Sequence, residues 1–422
     1  MTHIEIKENI RSIARKNVGP VMLSYVRWVL DESLKRNLKR LYFLARDGYL
    51  LYEIAKQICK EKDIDIDCRY LYCSRQSLRM PSYHLIGDEA YELLLLGGYY
   101  VTPKTILERA MLDKNEIDAV CQELNIVDKD KPFSDKELES FRIAVKRCDI
   151  YKNAIEKRSK EAYPLTIEYF RQQGIFDCDS FAIVDSGWTG SMQRSLRQLL
   201  CGAGYGGKIT GFYFGMYAEP KDKEDGEYLT FYFDAKSGAK RKANFNNNLF
   251  ECMLSANHPM TVGYVRRDDG TVEPVFASSV SEFQLELIDG QISGALNYVD
   301  GWLKQESADF DYETELSKTY KLLKKIMIYP TRTEAIVYGS FVFCDDVTEG
   351  YRMSLADPEK RKLLGNYMLV VRVIRKLFKI KKAGAGELFW PYGVIAFRPA
   401  ILRPWYRLNI QGWEILKAIL HK

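Results

Sequence analysis

Two stretches of this chain share one design: a short apolar run, an acid in a glycine-bearing turn, then a segment with helical periodicity. The first is LYFLARDGYLLYEIA (41–55) and the second SFAIVDSGWTGSMQRSLRQLL (180–200). An apolar run of this length closed by such a turn reads as a strand. A strand, a tight loop, a helix and a further strand make a βαβ unit, whose strands run parallel with a right-handed crossover. This pattern restricts the chain to α/β architectures.

The flanking segments extend the pattern. Leu23, Val26, Leu30 and Leu34 predict a helix over 21–39, ahead of a strand over 41–45, a helix over 49–60 and a second strand over 69–73 that ends in Ser74 and Arg75. From 76 to 179 the periodicity is mostly helical, in segments 88–96, 103–111, 134–147 and 151–173. About a hundred residues cannot be a simple connection in a compact sheet, so this region reads as a helical insertion or cap. The sheet resumes with a strand over 180–184, a loop over 185–191, a helix over 192–200 and a strand over 208–216, whereas 217–248 reads as polar and turn-rich. Four regions result: 1–78 and 180–260 as the two parts of the α/β core, 79–179 as the insertion, and 261–422 as a C-terminal accessory region of mixed strands and helices.

Composition excludes several alternatives. At 422 residues the chain suits two domains or one domain with large insertions, and 46% apolar with 28% charged residues is a folded composition. The net charge of +5 suits phosphates or an anionic membrane and implies no nucleic-acid partner. Nine scattered cysteines without a CxxC pair fit reduced thiols. The four histidines, His3, His84, His258 and His421, show no ligand spacing, so no protein-built zinc site is expected. The start MTHIEIKENI lacks a signal-peptide run and no stretch approaches the roughly 20 apolar residues of a membrane span, so the expected location is the cytoplasm. The 28 tyrosines suit sugar-binding clefts as well as core packing.

In an open parallel sheet, ligands bind at the carboxyl ends of strands, where loops enter helix N-termini. The candidate site residues are therefore Ala45, Arg46, Asp47, Gly48 and Tyr49 in the first loop, Ser74 and Arg75 after the second strand, and Asp185, Ser186, Gly187, Thr189, Gly190 and Ser191 in the later loop. Backbone N–H groups and helix dipoles there suit anions, and the glycines allow close approach. Arg75 reads equally as a surface salt-bridge residue.

On these residues the chain resembles the type I phosphoribosyltransferases. LYFLARDGYLLYEIA is similar to their pyrophosphate-binding loop, and SFAIVDSGWTGSMQRSLRQLL followed by GGKITGFYFGM is similar to their loop for 5-phosphoribosyl-1-pyrophosphate (PRPP). Two departures stand out: Asp185 is followed by Ser186 where the family has a second acid, and the loop is one residue shorter before Thr189 and Gly190. Together with VGPVMLSYVRWVL (18–30), the pattern also looks like a domain of bacterial surface-polysaccharide biosynthesis proteins, often labelled predicted hydrolases of the haloacid dehalogenase type. The resemblance implies a Rossmann-like parallel sheet of the phosphoribosyltransferase type with a helical insertion and a C-terminal α+β region that receives the acceptor. It implies transfer of 5-phosphoribose from PRPP to a glycan hydroxyl, the acceptor being open to lipid linkage, with a partner phosphatase removing the phosphate. It also implies Asp185 on the ribose hydroxyls and Thr189, Gly190 and Ser191 around the 5-phosphate.

The chemistry demands positive groups for the departing pyrophosphate and a base for the acceptor proton. Arg46 and Arg75 are candidates for the first and Asp47 or Asp185 for the second, with Asp47, Asp185 and Arg46 as the catalytic set. Mg2+ would arrive with PRPP and touch Asp47, since no protein-built metal cage is expected. Two alternatives stay open: a phosphohydrolase or pseudoenzyme of the haloacid dehalogenase class, and a non-catalytic sugar-phosphate-binding or scaffold protein. A phosphatase of that class needs an Asp nucleophile two residues before a second Asp, and with Asp47 as the second that position holds Ala45. Glu251 and His258 in LFECMLSANHP read as a helix cap with a satisfied histidine, or as a cleft acid and base. The basic run 372–382, with Arg372, Arg375, Lys376, Lys379, Lys381 and Lys382 among Val373, Ile374, Leu377, Phe378 and Ile380, reads as a solvated amphipathic helix or as a peripheral contact with the inner face of a membrane.

Overall fold

Leu41 and Phe43 pack on one side of the first strand and Tyr42 and Leu44 on the other, so this strand is buried on both faces. The computed structural model describes residues 1–98, 101–178, 180–221, 226–278, 280–305, 309–344, 352–378 and 388–420. Five parallel strands stand in the order β2-β1-β3-β4-β5: β1 (Arg40–Leu44), β2 (Asp67–Leu71), β3 (Phe181–Trp188), β4 (Ile209–Met216) and β5 (Gly226–Phe233). The chain is thus the expected α/β protein with a Rossmann-like parallel sheet.

One face of the sheet is covered by α1 (His3–Ile13), α2 (Gly19–Lys35) and α3 (Gly48–Glu61), which share a core with Leu41, Phe43, Ala182, Val184 and Phe212. The other face carries α4 (Arg75–Ile86) and, in the insertion, α5 (Glu89–Leu94), α6 (Pro103–Arg109), α7 (Lys114–Glu123), α8 (Asp135–Val145) and α9 (Asp149–Gln172), and then α10 (Ser191–Gly202). The insertion has a core of its own, and α9 belongs to two: Tyr151 and Ile155 lie in the insertion core, Ile167 and Phe170 against the sheet. That helix ties the cap to the sheet.

After the sheet come α11 (Ala239–Ala243), α12 (Asn247–Met253), the antiparallel pair β6 (Thr261–Arg266) and β7 (Val272–Phe276), α13 (Glu282–Leu303), α14 (Tyr312–Ile328), α15 (Arg332–Gly339), α16 (Leu369–Leu377), α17 (Pro391–Ile395) and α18 (Arg403–Leu420). Residues beyond 261 do not build a separate core: Leu287, Val299, Ile326 and Trp390 join the cluster that contains Ile10 and Val26. Among the described residues no helix is long and apolar enough to cross a membrane.

Two readings of the sequence need correction. The stretch 217–248 contains β5, whose tyrosines and phenylalanines were masked by the charged flank before it and which takes its hydrogen bonds from β4. The loop expected over 185–191 is mostly strand, because β4 extends far enough to pair Asp185 with Tyr213, Gly187 with Gly215 and Trp188 with Met216. Gly187 makes this possible with φ of 116° and a Cβ position only 2.2 Å from the Gly215 carbonyl oxygen. Gly187→Ala is therefore expected to destabilise the protein by about 2 kcal/mol or more. Chemical denaturation measures it, and an unchanged midpoint would mean that the strand end relaxes freely.

Candidate functional site

From β1 the chain steps to β2 on one side and, after the insertion, to β3 on the other, so the strand order reverses between β1 and β3. Such a reversal leaves a crevice at the carboxyl ends of the strands. Three strand-to-helix connections meet there: Ala45 to Asp47 leads into α3, Ser74 caps α4, and Gly190, at φ of 70°, turns the chain into α10. The Ala45–Arg46 peptide is cis. Three helix N-termini thus surround one opening, an arrangement that favours an anion.

The opening is a cleft of 380 Å³. Of the residues expected from sequence, Ala45, Arg46, Asp47, Ser74, Arg75, Asp185, Ser186, Gly187, Thr189 and Ser191 line it. Gly48, Tyr49 and Gly190 stand behind it and shape the turns: a side chain at Gly48 would meet the Phe43 backbone at 2.8 Å, Tyr49 packs on Tyr70 at 5.4 Å, and a side chain at Gly190 would meet the Tyr228 ring at 2.7 Å. The Ser74 hydroxyl is committed to its helix and to the Thr261 carbonyl, to which it donates at 2.6 Å.

The two acids of the cleft are neighbours. The Ser186 hydroxyl donates to the Asp47 carboxylate, and burial raises the Asp47 carboxyl above its ordinary value against the opposing pull of Ser186, Arg46 and Arg75. Burial, reinforced by Asp47, pushes the Asp185 carboxyl up to about 7, against the Ser186 backbone N–H and Arg75. Asp185 follows Ile183 by two residues and so faces the α4 and α10 side of the sheet.

The cleft also holds arginines that sequence reading had not placed. Arg79, one helical turn after Arg75 on α4, is 9% exposed, lines the cleft and donates to the Ser191 hydroxyl at 3.3 Å. Burial brings its guanidinium down to about 10, with Arg75 and Arg109 adding to the shift and Tyr83 opposing it, so it stays cationic at neutral pH. Arg109, from α6 of the insertion, also lines the cleft and braces the end of α5 by donating to the Leu94 carbonyl at 3.1 Å. The i, i+4 spacing of Arg75 and Arg79 was a readable signal. Arg109 carried none, because only the folding of the insertion brings it here.

The remaining candidates divide. Glu251 lines the cleft and accepts from the Trp188 indole N–H at 2.7 Å, and it lies within α12, whose cap is Asn246 rather than Glu251. His258 is satisfied by the Tyr70 hydroxyl at 2.6 Å and the Pro259 carbonyl at 2.8 Å, and burial lowers its pKa. Burial pushes up the thiol of Cys73, which also lines the cleft, so it is no ready nucleophile.

Among the described residues no group of three or more His, Cys, Asp and Glu side chains is arranged to cage a metal. Asp47 and Asp185 nonetheless fit a hard cation that brings ligands of its own, because it would relieve the repulsion between two carboxylates that burial disfavours as anions.

The raised Asp185 has a measurable consequence. In the unfolded chain it ionises near the ordinary 3.8, whereas in the fold it keeps its proton up to about 7. Its stabilising contribution is present in full below the unfolded value and is lost as the pH rises through the folded one. Asp185→Asn is therefore expected to gain thermal stability relative to the parent between about pH 4 and pH 8. Parallel melting curves across that window would mean that Asp185 ionises normally.

The chain matches no family model and no curated protein.

Proposed function

We propose that the cleft binds PRPP with Mg2+ and transfers 5-phosphoribose to a glycan hydroxyl. The observation that carries this reading is that two raised carboxylates, Asp47 and Asp185, share one cleft with the cations Arg46, Arg75 and Arg79 where three helix N-termini meet. Such a site offers positive charge to phosphates on one side and carboxylate oxygens to sugar hydroxyls on the other.

In the reaction, the bond from ribose C1 to the pyrophosphate oxygen breaks and its electron pair leaves with pyrophosphate, while the acceptor oxygen bonds to C1. Arg46, Arg75 and Arg79, which line the cleft, stabilise the departing charge. Thr189 and Ser191, at the start of α10, take the 5-phosphate. Asp185 accepts the ribose hydroxyls, and with its carboxyl near 7 it is matched to receive the acceptor's proton at neutral pH. Asp47 would hold Mg2+, which adds positive charge at the leaving group when bound.

A second cleft supports the reading of an extended acceptor. It measures 690 Å³ and is lined by Tyr217, Tyr392 and Asn246 to Asn248, and Phe389 lines both clefts. Aromatic faces and side-chain amides suit sugar rings and hydroxyls. The direct test is incubation of the protein with PRPP, Mg2+ and candidate glycans. Pyrophosphate release that depends on the glycan is expected, and its absence across lipid-linked and free acceptors would overturn the transferase reading.

A further inference from the structure

The second cleft is strongly one-sided in charge. Among the described residues its wall holds Lys236, Lys242, Arg372 and Lys417 against one carboxylate, Glu414. Two of these cations are held in place from behind. Lys242 donates to the Ala235 carbonyl at 2.7 Å, and Arg372 pairs with Glu414 at 3.1 Å while its guanidinium lies 4.3 Å from the centre of the Tyr367 ring. The other two, Lys236 and Lys417, are exposed. A cleft lined by one sign of charge focuses its field and concentrates ligands of the opposite sign.

This charge lies next to the reacting end of the molecule. Trp188 lines the first cleft, and its ring is 5.8 Å from that of Tyr217, which lines the second. A glycan with its reacting hydroxyl in the first cleft would therefore pass aromatic rings and then meet the cations. A neutral glycan would leave those cations facing hydroxyls alone. Of the basic run 372–382, Arg372 lines this cleft and Arg375 donates to the Asn366 side chain at 3.1 Å, whereas Lys379, Ile380, Lys381 and Lys382 lie outside the described residues.

We propose that the second cleft selects an acceptor glycan that carries an anionic group, which Lys236, Lys242, Arg372 and Lys417 receive. The proposal rests on the reading of this cleft as the acceptor's place, and it narrows the acceptor class. Two sources supply such a group: the carboxylate of a uronic sugar, and the diphosphate that joins a glycan to a lipid carrier. Either forms charge-assisted hydrogen bonds with ammonium and guanidinium groups.

Calorimetric titration of the full chain without PRPP tests the proposal separately from the transfer reaction. The probes are a hyaluronan tetrasaccharide, the same tetrasaccharide with its carboxyls reduced to alcohols, and N-acetylglucosamine joined to farnesol by a diphosphate. A charged probe is expected to bind about tenfold or more tighter than the reduced one and to weaken with salt. Whether the carboxylate or the diphosphate probe does so identifies the source. Lys236→Gln with Lys417→Gln should weaken the charged probe by about tenfold and leave the reduced one unchanged. Both lysines are exposed, so the melting temperature should not move. Glu414→Gln keeps a hydrogen-bond acceptor for Arg372 and removes the opposing charge, so it should tighten the charged probe. Equal binding of charged and reduced probes, binding of none, or a charged-probe affinity indifferent to the lysine pair would overturn the proposal. Charge-selective binding without any pyrophosphate release from PRPP would instead overturn the transferase reading and leave the cleft its ligand.

Discussion

Arg79→Met is expected to lower affinity for PRPP and for pyrophosphate by on the order of a thousandfold while leaving the fold at least as stable as before. The two effects have opposite signs for one reason. A guanidinium held in a buried position beside Arg75 and Arg109, with the Ser191 hydroxyl as its hydrogen-bond acceptor, pays desolvation in the ligand-free protein. Methionine keeps most of the apolar stem and removes that cost. The same guanidinium, about 4 Å from a phosphate at an effective dielectric near 20, contributes roughly 4 kcal/mol to binding. Calorimetric titration with pyrophosphate and a thermal melt together decide the matter. A variant that melts earlier and binds pyrophosphate unchanged would make Arg79 a structural residue and remove it from the site.

Ala45→Asp separates transferase from hydrolase. Ala45 lines the cleft at the end of β1, two residues before Asp47, where a phosphatase of the haloacid dehalogenase type places its nucleophile. If this loop wraps pyrophosphate, a carboxylate at 45 repels it, again by roughly 4 kcal/mol at about 4 Å, and PRPP affinity falls about a thousandfold with no gain in hydrolysis of a generic phosphate ester. Gain of such hydrolysis with PRPP affinity intact would falsify the transferase reading and favour a degenerate phosphatase. Asp47 and Asp185 already crowd this end of the cleft, so a third carboxylate should also raise their proton affinities further.

Much of the architecture was written in short windows of sequence. The apolar runs at 41–45 and 180–184 announce strands, and the turns after them announce helices, because strand and helix periodicity are local properties. Most of the candidate loop residues, Ala45 to Asp47, Asp185 to Thr189 and Ser191, line the cleft for the same reason: in a parallel sheet the position of such loops follows from the topology of the strands. The edge strand β5 was missed because its charged flank hides a pattern whose hydrogen-bond partners lie on β4.

What the sequence by itself determined was therefore the parallel α/β class, the cap between β2 and β3, and the two loops at the strand ends. Only the tertiary structure decided which charges share the cleft. Arg79 and Arg109 reach it through the packing of α4 and the insertion, and Asp185 acquires a carboxyl near 7 only because burial and Asp47 surround it. It also decided that residues beyond 261 complete the core of α1 and α2, and that α16 and α18 bring Arg372 and Lys417 to the second cleft. The physical reason is the same in each case: periodicity is a property of neighbours along the chain, whereas desolvation and Coulomb interaction depend on neighbours in space.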